Sequence, residues 1–275
     1  MRWTSGNRGN VEDARGRSGG VGIPLGIGGV VILLIGSWLT GVNLFDVVGG
    51  GGGATDVVAE RPATSSPEEE RLVDFVDAVT GDIQHAWSQK IGNYQPTRTV
   101  LFRDGIQSAC GLSSAATGPF YCPGDRKVYL DLGFFDELDR KLGAPGDFAQ
   151  AYVLAHELGH HVQTLTGTER KVRELQGSNP NARNALSVRM ELQADCYAGV
   201  WGHHANTGGG RVQLDPDDTE EGLNAAAAIG DDRLQRMQAG RVAPERFTHG
   251  TSQQRVEWFK RGMDSGDPKA CNTFQ

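Results

Sequence analysis

The feature that most constrains this chain is a five-residue segment with two histidines, His156-Glu157-Leu158-Gly159-His160, inside an uncharged, helix-compatible stretch. On a helix, residues four apart share one face, so His156 and His160 can bind one Zn²⁺ together. Glu157 then lies beside the open coordination position, where a carboxylate can accept a proton from water. This spacing predicts a metal-dependent hydrolase, and most directly a zinc peptidase with one zinc ion per chain.

The residues around this motif place it in the middle of a helix. Asp147 is a suitable N-cap and Gly167 a suitable C-terminal stop, so the pattern predicts a helix between these two residues. A helix whose histidines are merely polar surface residues is the alternative interpretation. The apolar residues on both sides of the motif argue against it.

A second helix, predicted over about 181–206, supplies candidates for the third ligand that catalytic zinc usually takes. It contains Glu191 and Asp195, which are four residues apart and share a face. We predict that Glu191 is the third ligand and that Asp195 accepts a hydrogen bond from a ligand histidine. Two alternatives stay open: Asp195 as the ligand with Glu191 behind it, or two acids on a solvated face. Apolar neighbours favour burial, and buried acids need partners.

Hydrolysis of a peptide bond also requires a group that stabilises the developing oxyanion. His249 is a candidate for that role, and Tyr197 is the alternative. His249 could instead cap a helix that starts near Thr251, or lie in the core. His161 faces about 100° away from the two ligand histidines, so it is predicted to support the site or to be a core residue. Residues 231–233 are interpreted as solvated surface.

This constellation resembles gluzincin-type metallopeptidases, in which an HELGH helix is joined by an E-x-x-A-D segment on the next helix. More closely, residues 20–275 resemble the bacterial "putative neutral zinc metallopeptidase" family. The stretches that carry the resemblance are residues 120–123, 127–132, 156–163, 191–201 and 249–252. The resemblance implies an α+β, mostly helical zincin-like domain with a small sheet beside the HELGH helix, and one preceding membrane segment. It also implies that an edge strand at 127–132 pairs with an extended peptide substrate, although an ordinary sheet strand fits this stretch equally well.

The N-terminal part carries a targeting signal. Residues 21–45 contain no charged side chain and are long enough to span a bilayer. Four arginines precede this segment, and the next basic residue after it is Arg61. The positive-inside rule therefore predicts a single-pass cell-membrane protein with a cytoplasmic N-terminus and an extracytoplasmic catalytic domain. A cleaved signal peptide is the alternative.

These observations divide the chain into four parts. We predict a cytoplasmic tail over 1–20, a transmembrane helix over 21–45, a glycine-rich flexible linker over 46–66 and a zinc metallopeptidase domain over 67–275. The net charge of −7 argues against nucleic-acid binding. The expected partners are therefore a polypeptide substrate and, through the N-terminal helix, the membrane.

The four cysteines fit an extracytoplasmic domain, where an even number predicts two disulfides. We predict Cys110–Cys122 as a local clip and Cys196–Cys271 as a link between the tail and the second helix. Three pairings are possible in principle. Cys196 as a metal ligand is a further alternative, although it lies about 140° around the helix from Glu191.

Taken together, the sequence predicts a membrane-anchored zinc endopeptidase in which His156, His160 and Glu191 hold the metal and Glu157 is the general base. Two other functions stay open: a non-catalytic zinc-containing module that binds peptides, and a zinc amidase that acts on non-protein amide bonds. A purely structural zinc site needs no general base, so Glu157 argues against the first. The shape of the pocket would distinguish the zinc amidase from the endopeptidase, because a short polar pocket favours the amidase.

Overall fold

The fold of this protein, described for residues 1–16 and 65–274 in a computed structural model, is α+β and mostly helical, as predicted. The helices are α1 (Pro67–Lys90), α2 (Gly133–Arg140), α3 (Asp147–Thr166), α4 (Thr168–Ser178), α5 (Arg183–Asn206), α6 (Asp218–Ala228), α7 (Asp231–Ala239) and α8 (Ser252–Ser265). The strands are β1 (Arg2–Trp3), β2 (Val11–Asp13), β3 (Thr99–Phe102), β4 (Gly105–Ser108), β5 (Gly111–Ser114), β6 (Phe120–Cys122), β7 (Lys127–Asp131) and β8 (Val212–Gln213).

A four-stranded sheet with the order β2-β3-β7-β6 lies beside the HELGH helix α3. β2, β3 and β7 run parallel, and β6 pairs with β7 in the antiparallel direction. The stretch 127–132 was expected to be the edge strand, but β7 lies inside the sheet, between β3 and β6. β6 pairs with β7 and lies at the edge of the sheet. The edge that was expected at residues 127–132 is therefore formed by residues 120–122 instead.

The N-terminal residues belong to two sheets of the domain: β2 to the four-stranded sheet, and β1 to a separate two-stranded sheet with β8. Val11 of β2 aligns with Thr99 of β3, and β1 pairs with β8. Arg15, whose side chain is 2% exposed, forms ion pairs with Asp13 and Glu70. The prediction that residues 1–20 form a tail separate from the domain is therefore wrong for residues 1–16. The predicted topology also conflicts with this pairing, because two strands of one sheet lie on the same side of a bilayer.

The predicted membrane helix, 21–45, and residues 46–64 of the predicted linker lie outside the described residues. Among the helices of the part of the chain that is described, none combines the length and apolar character that a membrane span requires. Attachment to a membrane through residues 21–45 stays a prediction.

Helix α3 begins differently from the prediction. Gly146, with φ 114°, is its N-cap, and Asp147 is its first residue. The carboxylate of Asp147 instead accepts a hydrogen bond from the ammonium group of Met1, which also pairs with Asp218. Gly167 ends the helix in the left-handed conformation, as predicted, since φ there is 79°.

Glycines let α5 and α8 approach each other closely. A Cβ on Gly262 would lie 2.0 Å from the carbonyl oxygen of Cys196, and one on Gly199 would lie 2.0 Å from that of Phe259. Both obstacles are backbone atoms, so they cannot move aside alone. This contact holds α8 against the helix that carries Glu191.

Gly262→Ala is expected to lower the free energy of unfolding by about 2–3 kcal/mol, because the added methyl group forces α5 and α8 apart. Urea unfolding, followed by circular dichroism, measures the change. Gly177→Ala is the matched control, because beyond the backbone of its own helical turn this glycine has no heavy atom within 4 Å of the added Cβ. The control should gain up to about 1 kcal/mol from its higher helix propensity. Equal stability of the two variants would contradict the proposed close contact.

Candidate metal centre

Helix α3 presents both histidines of the motif on one face. His156 and His160 lie one turn apart, and their ring centroids are 4.9 Å apart. His156 and Glu157 are buried, at 5% and 8% exposure. The motif thus lies in the middle of a buried helix, where the spacing of four residues is geometrically fixed.

Glu191 on α5 faces these two histidines. Its Oε2 lies 3.1 Å from His156 Nε2, and its Oε1 lies 3.6 Å from His160 Nε2. One ligand atom from each of the three residues lies within 4.8 Å of the others. Gly159 makes this approach possible, because a Cβ there would be 3.1 Å from the Cα and carbonyl oxygen of Ala194 on α5. The structure therefore brings the three predicted ligands together.

Asp195 lies behind His156, on the other side of the imidazole from Glu191. Its Oδ1 accepts a hydrogen bond of 2.8 Å from His156 Nδ1, while Glu191 faces Nε2. This separation of the two nitrogens favours Glu191 as the ligand and Asp195 as the group that orients the ring. Burial alone would lower the pKa of His156, but Asp195 and Glu191 raise it to about 10.

Two further buried side chains hold the Asp195 carboxylate. Tyr152 donates its hydroxyl to Oδ1 at 2.5 Å, and Arg255 Nη2 donates to the same oxygen at 2.9 Å. Asp195 is inaccessible and Arg255 is 2% exposed. Sequence reasoning missed both partners. Tyr152 gave a weak signal, since it lies one helical turn before His156, whereas Arg255 is 99 residues from that histidine in the chain.

His160 is oriented by an amide. Its Nδ1 lies 2.8 Å from Gln163 Oε1, which leaves Nε2 directed towards Glu191. Gln163 is fully buried. Its position, three residues after His160 on α3, places it on the same face of the helix, which is the signal that sequence reasoning passed over.

Glu157 lies at the wall of a cavity of about 600 Å³ beside strand β6. Burial raises the pKa of its carboxyl group, although both histidines and a backbone hydrogen bond from Tyr121 oppose the rise. His161, predicted to support the site or lie in the core, contacts the Tyr121 hydroxyl through Nδ1 at 3.1 Å and the Gln95 carbonyl through Nε2 at 2.7 Å. It therefore ties α3 to β6.

The cavity has apolar walls near the candidate metal ligands. They are formed by β6 and by side chains from several other elements: Phe134, Val153, Met190, Ile229 and Leu234. His249 and Glu169 also line it. The cavity therefore extends along a strand and is not a short polar pocket.

His249 belongs to a pair with Asp231. Its Nδ1 lies 3.2 Å from Asp231 Oδ1, and Asp231 Oδ2 accepts the backbone N–H groups of Thr248, His249 and Gly250. The interpretation of residues 231–233 as solvated surface is wrong for Asp231, which is 8% exposed. The N-cap of α8 is Thr251, whose side chain accepts from Gln254, so His249 is not the cap.

Other candidates lie elsewhere. Tyr197, the alternative oxyanion stabiliser, packs edge-on against Trp87 in the core, with ring centroids 5.0 Å apart. Both predicted disulfides, Cys110–Cys122 and Cys196–Cys271, are confirmed. Because Cys196 is disulfide-bonded, the alternative of Cys196 as a metal ligand is wrong.

The three converging side chains fit Zn²⁺. Ligand atoms about 2.0–2.1 Å from a tetrahedral zinc ion are about 3.3 Å apart from one another. The separations of Glu191 from the two Nε2 atoms, 3.1 and 3.6 Å, bracket that value. Two histidines and one carboxylate form a donor set typical of catalytic zinc.

Two bacterial proteins align with most or all of this chain. The chain is 48% identical over 287 aligned residues to the protein YpfJ of Escherichia coli K12, with 100% of this chain and 99% of the relative covered. It is 41% identical over 216 residues to Rv2575 of Mycobacterium tuberculosis H37Rv, with 75% of this chain and 72% of the relative covered. Both relatives are described as uncharacterized proteins. No solved structure matches the chain.

A family model matches residues 1–274, and its description names the same metal and reaction class that the site suggests. The match includes the N-terminal strands as well as the helices that carry His156, His160 and Glu191. This chain belongs to the family described as "Putative neutral zinc metallopeptidase".

Proposed function

We propose that this protein is a zinc-dependent endopeptidase that hydrolyses peptide bonds with Glu157 as the general base. One observation carries the proposal: His156, His160 and Glu191 converge beside Glu157 in a cavity that runs along an edge strand. In this assignment His156, His160 and Glu191 hold one zinc ion per chain. Asp195 and Gln163 fix the orientation of the two imidazole rings.

Zinc, when bound, supplies Lewis-acid polarisation of a carbonyl group and makes water acidic enough to lose a proton near neutral pH. Glu157 provides the base that takes this proton and then delivers it to the leaving amine. Burial suits the carboxyl group to both tasks, because it raises its pKa above the usual value and so makes it a stronger base.

A peptide substrate fits the edge of the sheet. β6 is one of the two outer strands of the sheet and lines the cavity next to Glu157. An extended peptide can pair with such a strand through main-chain hydrogen bonds and place its side chains in neighbouring pockets. The apolar walls favour this over a small polar substrate.

We assign stabilisation of the oxyanion to His249, which lines the same cavity as Glu157. Its Nδ1 donates to Asp231, so Nε2 carries a proton towards the cavity only when the ring is protonated. Partial desolvation lowers the pKa of the half-exposed His249 ring, but the hydrogen bond with Asp231 and the charges of Glu191 and Asp231 raise the pKa above its ordinary value. The donor is therefore lost as the pH rises through this raised pKa.

The value of kcat/KM is expected to fall as the pH rises through this raised pKa of His249, above about 6.5. His249→Asn should lower kcat/KM by about 10²-fold and flatten the alkaline side of the profile. The measurement is a pH profile of peptide cleavage for both proteins. His85→Asn, which changes an exposed histidine on α1, is the control and should keep the wild-type profile. If kcat/KM of the His249→Asn variant still falls at alkaline pH as in wild type, His249 is not the group that stabilises the oxyanion.

The test of the proposed function uses the full-length protein and an unfolded protein substrate. Metal content and cleavage are measured before treatment with a chelator, after it, and after zinc is added back. We expect one zinc per chain, cleavage within the substrate by mass spectrometry, loss on chelation and recovery with zinc. Zinc binding without cleavage would favour a peptide-binding module or an amidase, and absence of metal would show that the ligand set is wrong.

A further inference from the structure

A chain of buried hydrogen bonds leads from His160 to the C-terminal tail. His160 Nδ1 lies 2.8 Å from Gln163 Oε1, and Gln163 Nε2 donates to Gln193 Oε1 at 3.1 Å. Gln193 Nε2 then donates to the carbonyl oxygen of Cys271 at 3.0 Å. Gln163 and Gln193 are 0% and 6% exposed, so water does not compete readily for these groups.

The chain has a defined direction, because its last member can only accept. The Cys271 carbonyl requires the NH₂ group of Gln193, which turns the Gln193 oxygen towards Gln163. Gln163 must then present its own NH₂ group, which also donates to the Met190 carbonyl at 2.7 Å. The Gln163 oxygen is thereby left for His160.

This direction selects one tautomer of His160. Facing an oxygen that can only accept, Nδ1 must carry the proton. The lone pair of the neutral ring is then on Nε2, the atom that lies 3.6 Å from Glu191 Oε1. A reversed Gln163 amide would leave the proton on Nε2 and would place its oxygen against the Met190 carbonyl. The same chain thus prepares Nε2 to bind a metal.

The Cys196–Cys271 disulfide fixes the end of this chain. It joins α5 to the short turn Pro268–Cys271 across 75 residues of sequence, and both cysteines are buried. Thr273 reinforces the attachment by donating its hydroxyl to the Arg189 carbonyl at 2.7 Å. The Cys271 carbonyl therefore has a fixed position relative to Gln193, which is on α5 as well.

We propose that Gln193 and the Cys196–Cys271 disulfide are positioning elements for His160, so that the zinc affinity of the site depends on the disulfide. The inference rests on the proposed function only in requiring that zinc binds at His160. Outer groups that orient a metal-bound histidine typically change metal affinity by 10–100-fold.

The test measures zinc affinity of the full-length protein by competition with a chromophoric chelator at one pH. Four variants are compared with wild type: Gln193→Met, the pair Cys196→Ala with Cys271→Ala, the triple variant, and the pair Cys110→Ser with Cys122→Ser. We expect about tenfold weaker zinc binding in the first two. The triple variant should bind zinc no more weakly than Gln193→Met or the Cys196 and Cys271 pair. All three variants break the same chain of hydrogen bonds, so their effects should not add. Removal of the other disulfide, at Cys110 and Cys122, should leave the affinity unchanged.

Unchanged affinity in Gln193→Met, or additive losses in the triple variant, would overturn the proposal. If the protein without Cys196 and Cys271 does not fold, Gln193→Met decides alone, since it keeps both disulfides. A wild-type protein that binds no zinc would overturn both this proposal and the proposed function. A wild-type protein that binds and cleaves, with variants that hold zinc equally well, would overturn this proposal alone.

Discussion

Replacing Glu157 with Gln is expected to reduce kcat for peptide cleavage by about 10²–10⁴-fold while leaving one zinc ion bound per chain. The amide keeps the size of the side chain but has no basic oxygen that can hold a proton between the two halves of the reaction. The metal should stay, because Glu157 is not one of the three side chains whose ligand atoms converge. Zinc analysis and single-substrate kinetics on the same samples measure both quantities.

Glu169→Gln is the matched control for this experiment. Glu169 lines the same cavity and pairs with Arg173, so it tests the effect of removing a carboxylate from the cavity without removing the base. Its kcat should stay near the wild-type value. Equal activity of Glu157→Gln and wild type would eliminate Glu157 as the base, and loss of zinc would mean that Glu157 helps to hold the metal.

Arg255→Met is expected to have the largest effect on stability, a loss of about 3–5 kcal/mol in the free energy of unfolding of the metal-free protein. The substitution removes the guanidinium that donates to the fully buried Asp195 carboxylate at 2.9 Å, and it leaves His156 as the cation that still contacts this carboxylate. Burial raises the pKa of Asp195, and Arg255 is the largest influence that lowers it. Urea unfolding at pH 7 with both disulfides intact measures the loss.

Two controls separate a buried charge from a general effect of the substitution. Lys260→Met changes an exposed cation on the same helix, whose pair with Asp264 is at the surface, and should alter stability by less than about 0.5 kcal/mol. Adding Asp195→Asn to Arg255→Met should restore part of the loss, because it removes the buried charge that has lost its guanidinium partner. A similar loss in Lys260→Met, or no recovery in the double variant, would contradict the explanation.

The sequence predicted the centre of the site well because its geometry is local to two helices. The spacing of His156 and His160 places both on one face of any helix, and Glu191 and Asp195 share a face for the same reason. Both disulfide pairings were also predicted. These inferences needed only helical periodicity and the separation of residues along the chain.

What the sequence did not reveal depends on contacts between distant segments. Asp231 looks like a surface acid, and only the packing of the start of α7 against the Thr248–Gly250 backbone groups shows it as the partner of His249. Arg255 resembles any helical arginine until α8 packs against α5. Strand composition does not give strand order, so the true edge, β6, was not separated from β7.

The parallel pairing of β2 with β3 has a practical consequence for producing the protein. A polypeptide that starts at residue 67 would lack β2 and would expose the backbone edge of β3, a surface prone to intermolecular association. Arg15 and Ser65, on either side of residues 17–64, both hydrogen-bond to one carboxylate oxygen of Glu70. Because the side chains of Arg15 and Ser65 reach the same carboxylate oxygen, a short glycine-serine bridge could replace residues 17–64 and keep the complete sheet in a single recombinant chain.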